Sequence, residues 1–140
     1  MKIGFIGLGN VGGKLAGSLL RNKFDLTIRD LDESLVKKLS HNGAKVAKTP
    51  KDLAQNVDLI ITCLPSPKIC SEVMEGPNGI LEGITENKIW LEMSTTDESE
   101  IKRMANLLKK LSRGPKITDG RRITDFGKAA FSPVSPAALV

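Results

Sequence analysis

The chain has 140 residues, 40% of them apolar and 26% charged, a composition that predicts one soluble globular domain able to bury most of its unfolded surface. No run approaches the roughly 18 apolar residues of a membrane span, and the opening residues lack the apolar core and small-residue cleavage site of a secretory leader. The net charge of +5 is uneven: residues 1–100 hold 12 Lys/Arg against 14 Asp/Glu, whereas residues 101–140 hold 9 against 2. The basic balance therefore belongs to the tail. Its only aromatics are Phe126 and Phe131, with no stacking motif or helix-turn-helix spacing, so nucleic acid is not the expected partner. Cys63 and Cys70 are too few for a disulfide framework or a zinc site, which points to a reducing, cytoplasmic setting and to no metal.

Residues 2–6 are a short apolar run ending at glycines and read as a buried strand. A helix is predicted over 10–21, with Val11, Leu15 and Leu19 on one stripe and Gly12, Gly13, Ala16 and Gly17 on its flank. Each glycine costs a helix roughly 1 kcal/mol relative to alanine, so close backbone approach is the physical reason for keeping them. A second strand spans 24–29 and is followed by Asp30; Asp32 caps a helix that ends near His41-Asn42-Gly43. Residues 44–47 read as a third strand, and Thr49-Pro50-Lys51-Asp52 as a helix start. The nearly all-apolar run 57–64 is the strongest strand, covered on both faces, and Pro65 ends it.

A helix over 68–74, a turn at Gly76-Pro77-Asn78-Gly79 and a strand over 88–93 follow. The last clear helix, 97–112, carries Ile101, Met104, Ala105, Leu108 and Leu111 on one stripe, with acids in its first turn and bases at its end. Beyond Gly114 only 116–118 suggests another strand. Strands alternating with helices give an α/β fold, a Rossmann-type doubly wound parallel sheet in a single domain over 1–114, with 115–140 a basic, proline-containing, irregular tail.

Gly7-Leu8-Gly9-Asn10-Val11-Gly12 is a G-x-G-x-x-G that follows a strand, opens a helix and precedes by 18 residues an acid, Asp30, at the end of the second strand. In that setting Gly7 makes the tight turn, Gly9 leaves room for a pyrophosphate and Gly12 lets helix and strand pack closely. The free amides of Gly7–Gly12 face the diphosphate, and Asp30 accepts from the ribose hydroxyls while repelling a 2′-phosphate. NAD is expected over NADP, with Arg29 the feature that opposes this. Turn chemistry alone is the plainer reading of the glycines. A P-loop is excluded because Leu8 and Leu15 stand where Gly and Ser/Thr would flank Gly13-Lys14. A methyltransferase loop stands as an alternative on the glycines alone.

These residues resemble the opening of the β-hydroxyacid dehydrogenases, the group of 3-hydroxyisobutyrate dehydrogenase and tartronate semialdehyde reductase, within the wider 6-phosphogluconate dehydrogenase-like proteins. Cys63-Leu64-Pro65 is similar to that family's Met-Leu-Pro segment beside the cofactor, Gly76-Pro77-Asn78-Gly79-Ile80-Leu81 to its Gly-x-x-Gly-Ile/Val-Leu turn, and Glu92-Met93-Ser94-Thr95 to its Asp-x-Ser-Thr motif, with Glu in place of Asp. The resemblance implies hydride transfer between a small 3-hydroxyacid and a nicotinamide, Leu64, Pro65 and Thr95 at the cofactor, Ser94 on the substrate carboxylate, and an oligomer when complete. Thr95-x-x-Glu98 also has capping-box spacing, so a helix cap is the equal alternative for Thr95. Cys63 reads as a small apolar residue rather than a reactive thiol, and His41 as a surface residue.

The family's glycine-rich segment after the last helix is not matched: Asp119 leads into Gly120-Arg121-Arg122, and Pro133-Val134-Ser135 lacks the glycines. No residue here matches the family's catalytic lysine, and the resemblance implies that this lysine and the all-helical second domain lie beyond these 140 residues, so no catalytic residue is assigned. The resemblance thus covers an N-terminal cofactor half, a truncated product is one explanation, and negligible turnover is expected. The alternative is a non-catalytic dinucleotide-binding or interaction protein with a basic tail.

Overall fold

The computed structural model describes residues 1–94 and 97–111. Five parallel strands, β1 (Lys2–Ile6), β2 (Asp25–Arg29), β3 (Lys45–Val46), β4 (Leu59–Thr62) and β5 (Ile89–Glu92), form one sheet in the order β3-β2-β1-β4-β5. Among the described residues six helices lie between and after them: α1 (Asn10–Arg21), α2 (Glu33–Ser40), α3 (Pro50–Asn56), α4 (Pro67–Glu75), α5 (Ile80–Gly83) and α6 (Glu98–Leu111). The chain winds outward from β1 to β3, then returns to lay β4 against the other side of β1. That reversal opens a crevice beyond the carboxyl ends of β1 and β4, where open α/β sheets bind ligands. The Rossmann-type doubly wound sheet expected from the alternation of elements is the fold observed.

Successive strand residues alternate between two cores. Ile3, Phe5, Leu26 and Ile28 join Ala16 of α1 and Leu39 of α2 on one face. Ile6, Ile60 and Trp90 join Leu53, Met74, Ile80, Met104 and Leu108 on the other. Burial on both faces explains why β4 reads Leu-Ile-Ile-Thr with no outward polar position.

Local chemistry sets the helix ends. Asp32 accepts from the Ser34 amide, Thr49 from Asp52 and Ser66 from Ile69, and Pro50 and Pro67 each open a helix where no amide is needed. The Lys88 ammonium closes α3 by donating to the carbonyls of Ala54 and Gln55.

β1 spans the whole of its run, residues 2–6, and the other strands are shorter than theirs. Val57 closes α3 instead of opening β4, and Leu64 leaves the sheet because its amide bonds a serine side chain rather than a neighbouring strand. Only Lys45–Val46 of the third run pairs with β2. Helix α4 starts earlier than its apolar spacing suggested, because Ser66 caps it. The short α5 was not expected, since four residues carry no usable period. On α6, Met104 and Leu108 are buried but Leu111 is 56% exposed, so the stripe stops one turn early. The possible strand at 116–118 and the tail over 115–140 lie outside the described residues.

Helix α6 is pinned to α4 by charge. Arg103 bonds both Glu75 and Glu100, and Ser71 donates to Glu100. Hydrogen bonds from Arg103 and then Ser71 hold the Glu100 carboxyl down at about 2, against an ordinary 4.5. A depressed carboxylate stabilises above its unfolded value, and that contribution disappears as pH falls through the folded one. Glu100→Gln is therefore expected to lower the urea midpoint at pH 7. The gap from the parent should narrow below about pH 4.5 and close near pH 2; a gap independent of pH would assign the effect to packing.

Candidate dinucleotide site

The site starts at the turn between β1 and α1. Gly7 has φ +96°, and a Cβ there would lie 2.2 Å from the Cys63 carbonyl oxygen. A Cβ on Gly12 would lie 1.9 Å from the Gly7 carbonyl oxygen. Backbone meets backbone at both places, and no side chain fits. Gly9 differs: it is exposed, its φ of −60° suits any residue, and a Cβ would meet nothing within 4 Å. Gly9 begins α1 without a side-chain cap bond, and the first turn carries no acid. The opening amides of α1 thus lack both an intrahelical acceptor and a capping oxygen, which is what an anion requires.

Asp30 is joined to this turn. Its Oδ2 accepts from the Leu8 amide at 2.5 Å and its Oδ1 from the Asp32 amide at 2.9 Å. Each carboxylate oxygen keeps a second lone pair, so Asp30 can still accept from hydroxyls. The Leu8 side chain is in the core, 1% exposed, while Asn10 and Val11 are exposed at the mouth of the helix. Beside Asp30, the Nε of Arg29 is buried with no hydrogen-bond partner among the described residues.

Across the crevice, the loop after β4 is tied to the loop after β5. The Leu64 amide donates to Ser94 Oγ at 2.6 Å, and Leu64 also lies 3.1 Å from where a Gly7 Cβ would be. The structure therefore brings Gly7–Gly12, Asp30, Leu64 and Ser94 to one rim of the sheet; Pro65 is exposed beside Leu64. Thr95 lies outside the described residues. His41 is exposed at the end of α2, its Nδ1 against the Lys37 carbonyl. Burial raises the Cys63 thiol, and burial raises Cys70 to about 11, so both are poor nucleophiles.

Of two further residues of this rim, Thr62 was not singled out in the sequence, and Glu92 entered only as the residue standing in place of Asp in the Glu92-Met93-Ser94-Thr95 motif. Thr62 and Glu92 are the last residues of β4 and β5 and pair in register. Their signal was a polar residue inside each of two otherwise apolar runs, 57–64 and 88–93.

A family model described as the NAD binding domain of 6-phosphogluconate dehydrogenase matches residues 2–114. The chain belongs to this NAD-binding family. The resemblance to the β-hydroxyacid dehydrogenases holds as well: rat mitochondrial 3-hydroxyisobutyrate dehydrogenase is 37% identical over 109 residues, covering 78% of this chain and 32% of the relative. The cytokine-like nuclear factor N-PAC of Pongo abelii is 30% identical over 118 residues, covering 84% of this chain and 21% of that protein. An imine reductase from Myxococcus stipitatus, solved with NADP+, shares the fold at TM-score 0.72 and 14% identity, covering 79% of this chain and 37% of its own. The chain thus spans a third or less of the curated relatives described here.

The glycines separate two experiments. Gly9→Leu has room, so its stability should stay within about 0.5 kcal/mol of the parent while dinucleotide binding is lost. Gly12→Ala must displace the turn and should cost about 1–3 kcal/mol of stability. Thermal unfolding of both variants with and without dinucleotide checks the contrast; a Gly9→Leu protein that still binds would remove the diphosphate from this turn.

Proposed function

We propose that the chain is the cofactor-binding half of an NAD-dependent 3-hydroxyacid dehydrogenase. The observation that carries this is the uncapped, acid-free start of α1 behind a turn of bare backbone, with Asp30 clamped to that turn by the Leu8 amide. In this reading the amides from Gly9 to Gly12 hold the diphosphate and Asp30 accepts from the adenosine ribose. Leu64 and Pro65 wall the far side of the cofactor. Ser94 takes the substrate carboxylate, and Thr95 is assigned to the nicotinamide. A bound nicotinamide would supply the hydride acceptor for oxidation of a small 3-hydroxyacid.

The Asp30 carboxylate favours NAD, because a 2′-phosphate would set like charges side by side. One observation favours NADP instead: the buried Arg29 Nε has no acceptor, and a phosphate oxygen would be one. Thermal unfolding with each coenzyme decides between them. A ligand at 100 times its dissociation constant adds roughly 2.7 kcal/mol to stability. The larger shift is expected with NAD, and Asp30→Asn should narrow the difference between the two; a larger shift with NADP would give the pocket to Arg29. Calorimetric titration that stays flat to millimolar coenzyme would end the dinucleotide reading altogether. The 140-residue chain by itself is expected to bind coenzyme without oxidising a 3-hydroxyacid, since none of its residues matches the family's lysine; steady NADH production would reverse that.

A further inference from the structure

A chain of buried hydrogen bonds runs from the core to the rim. The Trp90 indole N–H donates to Thr62 Oγ1 at 2.9 Å, and the Thr62 hydroxyl donates to Glu92 Oε2 at 2.8 Å. The other oxygen, Glu92 Oε1, accepts from the Ser94 amide at 2.7 Å, and Ser94 Oγ in turn accepts from the Leu64 amide. Thr62 is fully buried and Glu92 is 7% exposed. Among the described residues no Lys or Arg pairs with Glu92; one oxygen accepts from a hydroxyl and the other from a backbone amide, with the Cys70 thiol close by. A carboxylate buried this far without a cation is costly unless hydrogen bonds compensate it. An apolar residue would close β5 more cheaply, so the carboxylate's usefulness lies in what it holds.

What it holds is the backbone of Ser94, and through Ser94 the loop after β4. Ser94 Oγ already accepts from Leu64 and lies 3.5 Å from Cys70 Sγ, whose raised pKa keeps it a thiol. With its oxygen drawn on by the protein, the hydroxyl hydrogen is what Ser94 has left to offer a ligand. That hydrogen selects an acceptor oxygen, a carboxylate or a carboxamide carbonyl.

We infer that Glu92 is a positioning residue: with Thr62 behind it, it fixes Ser94 as a hydrogen-bond donor and locks the Leu64 loop to β5, so that the half of the dinucleotide remote from adenine meets a preformed wall. This rests on the reading that the crevice takes a nicotinamide dinucleotide, with adenine on the Asp30 side of the switch point and the reacting end on the β4–β5 side.

Thr62 provides the decisive test, because a fully buried side chain cannot touch the ligand. Thr62→Val keeps the shape but removes the hydroxyl that orients Glu92; Thr62→Ser restores it. The full chain and its variants are titrated calorimetrically with the coenzyme the parent prefers and with ADP-ribose, which lacks the nicotinamide. Thr62→Val and Glu92→Gln are each expected to weaken the dinucleotide five- to tenfold and ADP-ribose less than twofold, with Thr62→Ser at parental affinity for both. The lone Trp90 gives a second readout: dinucleotide should change its emission in the parent and much less in Glu92→Gln. Should Glu92→Gln not fold, the Thr62 pair alone decides. Equal weakening of both ligands, or of neither, makes the network merely structural and overturns the inference while leaving the dinucleotide reading intact. A parent chain that binds neither ligand overturns both.

Discussion

The direct approach of backbone to backbone at the first crossover governs the whole rim of this molecule. Gly12 sits on the carbonyl of Gly7, and Gly7 on the carbonyl of Cys63, so that the turn, the start of α1 and the end of β4 form one unit with no side chain between them. The glycines weaken α1 by roughly 1 kcal/mol each in intrinsic propensity. Burial of Ile3, Phe5, Leu8 and Ala16 with the second strand offsets that loss and holds the helix axis against the sheet. In return the uncapped amides of α1 open toward the crevice, where an anion would supply the missing acceptors. The Asp30–Leu8 bond adds the second strand to the unit, tying the glycine turn to the end of β2.

The two sides of the crevice are held by different chemistry. On the β1–β2 side the contacts are backbone packing and a carboxylate near the surface. On the β4–β5 side they are a line of polar groups, Trp90, Thr62 and Glu92 buried and Ser94 half-buried, each bonded to the next. Hydrogen-bonded networks of this kind rigidify the elements they join, because alternative arrangements leave a buried donor or acceptor without water or protein. Arg29 is the exception on the rim, and its unpaired Nε is the kind of group that a bound ligand completes.

Much of this was legible in the residues. The order of strands and helices, the extent of α1, the caps at Asp32 and Thr49, and the glycine turn with its acid followed from periodicity and local stereochemistry, which act over a few residues. Strand ends were less so: the apolar run over 57–64 overreaches at its far end because β1 and β5 both stop opposite Thr62, a property of the partners rather than of the run, and of the run over 44–47 only Lys45–Val46 enters the ladder with β2. The short α5 was hidden because four residues have no period, and Leu111 was assigned to the core by a stripe that cannot tell where its neighbour ends.

By itself, then, the chain's order of residues determined a parallel doubly wound sheet, a helix that must start on bare backbone, and an acid at a fixed remove from it, since each follows from local geometry and side-chain period. Only tertiary structure decided that Asp30 reaches the Leu8 amide, that Ser94 closes on Leu64, and that Thr62 and Glu92 become a buried pair rather than two strand ends. Those contacts join residues 22 to 30 positions apart, and the register of the parallel strands, not any local preference, sets which of them meet.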